Sequence, residues 1–394
     1  MSDNKHTLQE LKMRQALPLD AKISMTKLRI RQWVEHYGID GVYVSFSGGK
    51  DSTVLLHIAR SIYPEMRAMF IDTGLEYPEI RDFVKTFDHV DIVKPKLTFK
   101  QVIEKYGYPF ISKEVSETVF GAKKYLTELT QRATITKAGR QAGRQAGRHR
   151  IITDTNDYLD LINLLKRKMQ TRAGGSNERL LILLGELPTK TGNFPKSRYN
   201  CERYKFFIDA PFEISNRCCN VMKKEPAAKY TKQTGRVPII GTLAEESWLR
   251  MQKWLQNGCN AFESKKPVSN PLSFWTNQDI LNYIVKYNVK ICSVYGDIVP
   301  DYGEEQINGQ MDFADLGLIG DNRKYKTTGC ARTGCMFCGF GCHLEKEGEG
   351  RFELMKKTHP KQYDYIMRSK EKGGLNYKFV IDWINEHGHF NIKY

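Results

Sequence analysis

The sequence predicts an α/β fold, a doubly wound and mostly parallel sheet, and three stretches predict it. A short apolar run, Gly41 to Phe46, passes through Ser47-Gly48-Gly49 into the helical spacing of Ser52 to Ile58. A second run, Met66 to Ile71, ends in Asp72-Thr73-Gly74, and a third passes through Ile240 into Gly241-Thr242. Short apolar runs that each end in a polar turn suit strands buried on both faces by helices.

Taken in order, residues 1–23 are polar and weakly patterned. Ser24 is placed as the N-cap of a helix whose Ile30, Trp33, Val34 and Tyr37 share one face, and Gly38 ends it. Val90 to Val93 is a third strand and Phe99 to Tyr106 a helix. Residues 112–200 read as a basic insertion. It contains the repeat Ala138-Gly-Arg-Gln-Ala-Gly-Arg-Gln-Ala-Gly-Arg148, then His149 and Arg150. Its regular arginines offer a positive ribbon that either clamps phosphates or stays a solvated loop. Tyr158 to Met169 has helical spacing, and Leu180 to Leu184 is a buried piece of strand or helix. Thr276 caps a helix with Ile280, Tyr283 and Ile284 facing the core, and Arg351 to Tyr394 reads as helices with aromatic positions.

The turn after the first strand is built to hold an anion. Gly48 and Gly49 allow close backbone approach, and the N–H groups opening the next helix point at whatever sits there. Lys50 adds a charge, and Ser45, Ser47 and Ser52 add hydroxyls. The spacing is not that of a Walker A loop, which needs four residues between its first Gly and a Gly-Lys-Ser/Thr ending. Ser47-Gly-Gly-Lys-Asp-Ser52 instead resembles the PP-loop of the adenine nucleotide α-hydrolase superfamily, whose Rossmann-like members grip the pyrophosphate of ATP and break the α-β bond. Asp72-Thr73-Gly74, followed by Glu76-Tyr-Pro-Glu79, is similar to the second motif of the phosphoadenosine-phosphosulfate (PAPS) reductase family, where this strand end borders adenosine.

Two later stretches carry the same resemblance. Gly241-Thr-Leu-Ala-Glu-Glu-Ser-Trp-Leu-Arg250 is similar to the family segment Gly-x-Arg-x-x-Glu/Gln-Ser-x-x-Arg, with Leu243 standing where the family commonly has its first Arg. Glu246 and Arg250, four apart, share a helical face and pair, and Arg250 offers a bidentate donor to phosphate or sulfate. Pro271-Leu-Ser-Phe-Trp-Thr276 with Asp279 and Tyr283-Ile284 matches a further family pattern. The resemblance implies nucleotide binding by Ser45, Ser47, Gly48, Gly49, Lys50, Asp51, Ser52, Asp72, Thr73, Gly74, Glu246, Ser247 and Arg250, with Lys50, Asp51 and Arg250 as catalytic residues.

Nine cysteines without a secretory signal argue for metal or redox chemistry over a disulfide framework. Cys335 and Cys338 form a Cys-x-x-Cys pair able to place two thiolates on one metal. Adjacent Cys218-Cys219 plus a distant Cys-x-x-Cys resembles adenylyl-sulfate (APS) reductases, which implies a [4Fe-4S] cluster on Cys218, Cys219, Cys335 and Cys338. A local set, Cys330, Cys335, Cys338 and Cys342, has a spacing partly like a plant-type ferredoxin or a zinc knuckle, so Zn²⁺ stays as the second choice of metal. Cys201 and Cys292 read as buried structural thiols.

The expected organisation is a helical arm at 1–38, a nucleotide-binding α/β domain over 39–111 and 201–290, the insertion at 112–200, and a Cys-rich helical region at 291–394. With 40% hydrophobic and 27% charged residues the chain reads as soluble and globular. No apolar run approaches the length of a membrane span and the first residues lack a signal-peptide core, so a cytoplasmic location is expected. The net charge of +16 favours a polyanionic partner, DNA or tRNA.

These readings converge on an ATP- and Mg²⁺-using enzyme. The complete Ser-Gly-Gly-Lys-Asp-Ser loop is the one associated with ATP, and Asp51 suits a Mg²⁺ on the leaving pyrophosphate. Thiolation of a nucleic acid is expected, the logic of the PP-loop tRNA thiolation and DNA phosphorothioation enzymes, with a separate sulfur donor or reductant protein. Two alternatives stand: a sulfonucleotide reductase using Cys342 or Cys330 as nucleophile, and a non-catalytic nucleic-acid-binding module. A homo-oligomer is left open.

Overall fold

Val42, Tyr43 and Val44 are almost wholly buried, because the strand they form has a parallel neighbour on each side and helices over its faces. The computed structural model describes residues 5–141, 176–186, 200–301 and 323–394. Its strands are β1 (Val42–Ser45), β2 (Ala68–Ile71), β3 (Val90–Val93), β4 (Phe110–Ile111), β5 (Val237–Ile240), β6 (Asn260–Ala261), β7 (Val268–Ser269), β8 (Ile298–Pro300), β9 (Tyr325–Thr327) and β10 (Gly339–Phe340). The chain divides into two compact units, Met1–Lys96 with Met222–Met336, and Leu97–Val221 with Phe337–Tyr394. Residues 1–38 fall in the first, and residues 201–221 in the second.

The first unit holds a six-stranded sheet of order β3-β2-β1-β5-β7-β6, parallel except for β6. Val44 sits between Ala68 and Ile239, and Ser45 between Met69 and Ile240, so three apolar strands end together. The chain builds outward from β1 to β2 and β3 on one side, then returns to build β5 and β7 on the other. This is the doubly wound α/β arrangement the sequence predicts, and β1/β5 is its switch point.

Helices Leu19–Tyr37, Lys50–Arg60 and Asn277–Tyr287 cover the sheet with Ile30, Trp33, Leu55, Leu56 and Ile284. Each such side chain contributes about 1.5–3 kcal/mol by leaving water. Helix 19–37 starts five residues before the expected cap. Pro18 precedes its first turn, and Ser24 lies inside, its Oγ donating to the Asp20 carbonyl. Pro has no N–H to leave unsatisfied at a helix start, and a hydroxyl inside a helix can turn back on the preceding turn. The weakly patterned N-terminus contains another helix, Leu8–Gln15, fixed by a capping box between Thr7 and Glu10. Lys22, also unremarked in the sequence, is buried with its Nζ 2.7 Å from Asp279 and 2.6 Å from the Gln15 carbonyl. Thr276 caps helix 277–287 as predicted.

In the second unit β4 and β10 pair in parallel. Helix Lys113–Gln141 packs on Ser176–Leu183, burying Val119, Ala122, Leu180, Leu181 and Leu183. The undecided segment at 180–184 is thus mainly helical. Helix 113–141 reaches the start of the glycine-arginine repeat; positions 142–150 and the segment Tyr158 to Met169 lie outside the described residues. The C-terminal segment forms helices Arg351–Thr358, Pro360–Met367 and Tyr377–Gly388. Trp383 packs among Phe206, Phe207 and Phe212, and the fully buried Tyr377 donates to the Phe337 carbonyl at 2.5 Å. Among the described residues no helix is long and apolar enough to cross a membrane.

Candidate active site

The loop after β1 is shaped by contacts only its own residues permit. Gly48 has φ +70°, and a Cβ there would lie 2.8 Å from Ile80 and 2.9 Å from Val84. Both the backbone and the space require glycine. Ser47 and Ser52 bond through their hydroxyls at 3.0 Å, and Ser52 Oγ also accepts from Ser47 N–H and donates to the Gly49 carbonyl. Thr53 Oγ1 donates to that same carbonyl at 3.0 Å. These internal bonds set the shape of the loop at the positive end of helix 50–60.

Lys50 is 3% exposed and its Nζ lies 2.8 Å from Asp51 Oδ1. Asp51 keeps about a quarter of its side chain in solvent. Ser45 closes β1 and is half-buried, whereas Ser47 is exposed. At the end of the neighbouring strand β2, Asp72 pairs with Arg81 at 3.0 Å and accepts from Gly74 N–H. Thr73 is fixed by Glu76, which accepts from both its hydroxyl and its N–H. Parallel pairing of β1 with β2 puts these two predicted groups at one end of the sheet.

Beyond β5, Glu246 lies in a short 3-10 turn and Ser247 caps helix Trp248–Asn257, its Oγ accepting from Arg250 N–H. The expected Glu246–Arg250 pair forms, but not along one helical face, because Ser247 is extended and the helix begins only at Trp248; Glu246 Oε2 also accepts from the Leu243 N–H. Leu243, at the position of the missing arginine, is 2% exposed and packs in the core. Burial lowers the Arg250 pKa, the field of Arg332 lowers it further, and Asp51 opposes both. Parallel pairing of β1 with β5 brings their ends together, and the field of Asp51 reaches Arg250 there.

Three residues of this site escaped sequence reasoning: Tyr295, Arg332 and Thr333. Tyr295 Oη accepts from Lys50 N–H at 3.0 Å and lies 2.7 Å from Thr333 Oγ1. Burial, above all, pushes the phenol up to about 12. Arg332 donates to Glu246, opposite Arg250. The segment carrying them is pinned by backbone bonds from Thr328 to Asp297, Gly329 to Tyr295 and Cys330 to Val294. The signal present in the sequence is a basic residue, Arg332, between Cys330 and Cys335.

All nine cysteines lie among the described residues, and no disulfide joins any of them. Cys330 and Cys335 end the first unit's last loop. Cys218, Cys219, Cys338 and Cys342 belong to the second, where Cys218 and Cys219 lie in the turn Arg217–Cys219. Burial, above all, raises the Cys338 thiol, and Cys219 is one of the charges acting on it. Cys342, from the competing set, is 3% exposed and its Sγ donates to the Gly339 carbonyl at 2.9 Å, with burial pushing the thiol up to about 12. Gly339 is required by space, since a Cβ would sit 2.6 Å from the Phe110 ring. Arg351 holds the Cys338 carbonyl at 2.6 Å. Among the described residues no three His, Cys, Asp or Glu side chains close round one point. Cys201 and Cys292 are buried.

A family model for the phosphoadenosine phosphosulfate reductase domain matches residues 41–153 and 190–338. An uncharacterized protein of Methanocaldococcus jannaschii is 40% identical over 73 residues, 17% of this chain and 18% of that protein. The chain therefore spans under a fifth of that relative's length. A crystal structure of phosphoadenylyl-sulfate reductase from Candida auris, in a phosphate complex, aligns with TM-score 0.33 and 14% identity over 73% of this chain and 91% of that one.

Proposed function

Because this chain belongs to the phosphoadenosine phosphosulfate reductase domain family, we propose that it binds ATP with Mg²⁺, cleaves the α-β phosphate bond and directs sulfur onto a nucleic acid. The observation that carries the reading is the Lys50–Asp51 pair at the head of helix 50–60, with Arg250 in the field of Asp51. The loop N–H groups and Lys50 hold the phosphates. Asp51, partly in solvent, is the group to hold Mg²⁺, and Asp72-Thr73-Gly74 borders the adenosine. An acceptor oxygen attacks the α-phosphorus, pyrophosphate leaves, and sulfide then displaces AMP. Lys50 and Arg250 stabilise the charge that develops on the departing phosphates.

Cys218, Cys219, Cys335 and Cys338 are the residues to hold a [4Fe-4S] cluster. The field of Cys338 reaches both Cys219 and the competing Cys342, and what supports leaving Cys342 out is its buried state and its hydrogen bond to the Gly339 carbonyl. Magnesium and the cluster would supply charge neutralisation on the pyrophosphate and a site for the incoming sulfide. The net charge of +16 supports DNA or tRNA as acceptor, with a sulfur donor or reductant protein as second partner.

A sulfonucleotide reductase is the competing reading, and the buried Cys342 makes Cys330 its better nucleophile. Anaerobically purified protein incubated with α-labelled ATP and, separately, with APS or PAPS decides between them. Pyrophosphate or AMP from ATP, lost in Asp51→Ala, is the expected result. Sulfite from APS or PAPS with no turnover of ATP would overturn it.

A further inference from the structure

We propose that Arg332 is a phosphate- or sulfate-binding residue, forming with Arg250 a two-guanidinium fork that stands in for the arginine absent at position 243. The inference rests on the nucleotide-binding reading above and adds to it a residue from a distant part of the chain.

Both guanidinium groups share one carboxylate, Glu246, whose side chain is 11% exposed, while those of Arg250 and Arg332 are 40% and 60% exposed. With Asp51 and its partner Lys50 counted as well, three cations face two carboxylates and the cluster keeps a net positive charge. The two guanidinium cations also oppose each other, and the field of Arg332 lowers the Arg250 pKa. A second anion placed between them removes that repulsion and uses donors that Glu246 cannot satisfy, since a guanidinium carries five N–H groups. Position 243 cannot serve, because Leu243 points into the core and only its N–H reaches Glu246.

Arg332 is held in place for this role. The backbone bonds of Thr328, Gly329 and Cys330 fix the segment, and Thr333, next in sequence, is hydrogen-bonded to Tyr295, which in turn holds Lys50 N–H. The fork is thus tied by hydrogen bonds to the loop that opens helix 50–60. Its ligand is a tetrahedral oxyanion, either the phosphates of ATP or the phosphosulfate of a sulfonucleotide.

The test is calorimetric titration of the full-length protein and its Arg332→Ala and Arg332→Lys variants with pyrophosphate, sulfate, MgATP, APS, PAPS and adenosine. Lys326→Ala, which removes one exposed charge elsewhere, controls for net charge. Arg332→Ala should lose about tenfold or more in affinity for the anions and keep adenosine binding, which also reports an intact fold. Arg332→Lys should recover only part, because an ammonium cannot bridge two oxygens in one plane. A larger loss for MgATP than for APS and PAPS identifies the triphosphate as the natural ligand, and the reverse identifies a sulfonucleotide. Anion affinities of Arg332→Ala equal to those of Lys326→Ala, or wild-type protein that binds none of the anions, would overturn the fork. Pyrophosphate binding that depends on Arg332 without any cleavage of ATP would keep the fork and remove the ATP-cleavage reading.

Discussion

The phenol of Tyr295 accepts a hydrogen bond from the backbone N–H of Lys50 at 3.0 Å, joining the first turn of the phosphate-loop helix to a residue 245 positions away. That N–H belongs to the group of helix-opening donors that have no partner within the helix. Tyr295→Phe keeps the ring and removes the acceptor. Because the change also removes the bond to Thr333, the expected loss is about 1–3 kcal/mol of unfolding free energy, the usual net value of two hydrogen bonds, read as a lower urea midpoint at unchanged slope.

Gly48→Ala meets two obstacles at once, a φ of +70° and methyl groups within 3 Å. We expect destabilisation of about 1–3 kcal/mol from the backbone alone, with the contacts adding to it. Gly74→Ala is the informative partner, since φ is +73° there but no atom lies within 4 Å of the new Cβ. Denaturant titration should place Gly48→Ala clearly below Gly74→Ala; equal values would mean that Ile80 and Val84 give way freely.

Lys22 and Asp279 form a buried ion pair that connects helix 19–37 to helix 277–287. Lys22→Met leaves Asp279 facing the interior without its charge partner, and about 3–5 kcal/mol should be lost. The double change with Asp279→Leu should cost less than the sum of the single changes. A double-mutant cycle measures that coupling.

Burial, and secondarily Lys27, hold the His57 imidazole below its ordinary value of 6.5, while its Nδ1 lies 2.8 Å from Tyr283 Oη. The unfolded chain therefore takes up this proton at a higher pH than the folded one. The contribution to stability is complete above pH 6.5 and is lost as the pH falls from there toward the lower folded value. Urea midpoints should drop between pH 7.5 and pH 5.5, and His57→Gln should flatten that dependence without abolishing folding.

Cysteine identity separates the two ligand sets. Anaerobically purified Cys335→Ser should lose iron and the broad visible absorbance of an iron–sulfur centre, whereas Cys342→Ser should keep both, because the Cys342 thiol is already engaged with a backbone carbonyl. Iron lost equally from the two variants would favour the local set.

The sheet was legible because its signals are local. Apolar runs at Val42–Ser45, Ala68–Ile71 and Val237–Ile240 end in turns whose residues have a steric reason to be there, and Thr276 caps its helix through neighbours three residues away. The start of helix 19–37 was misjudged at Ser24 because a serine that bonds back to Asp20 inside a helix looks, in sequence, like one that caps it. Lys22, Tyr295 and Arg332 were illegible for another reason. Each acts through a partner 86 to 257 residues away, Asp279, Lys50 and Glu246 respectively, and no periodicity encodes such a pairing.

The segment from Thr328 to Cys335 contributes Thr333 and Arg332 to the phosphate end of the sheet and ends on a proposed metal ligand. A metal held at Cys335 would therefore constrain the same stretch of backbone that Thr333 and Arg332 tie to the phosphate end of the sheet. Reciprocity then applies: if nucleotide at the loop changes the affinity for metal at Cys335 by some factor, metal must change nucleotide affinity by the same factor. If Cys335 holds a metal, protein purified without it would report a nucleotide affinity that belongs to only half of a coupled equilibrium.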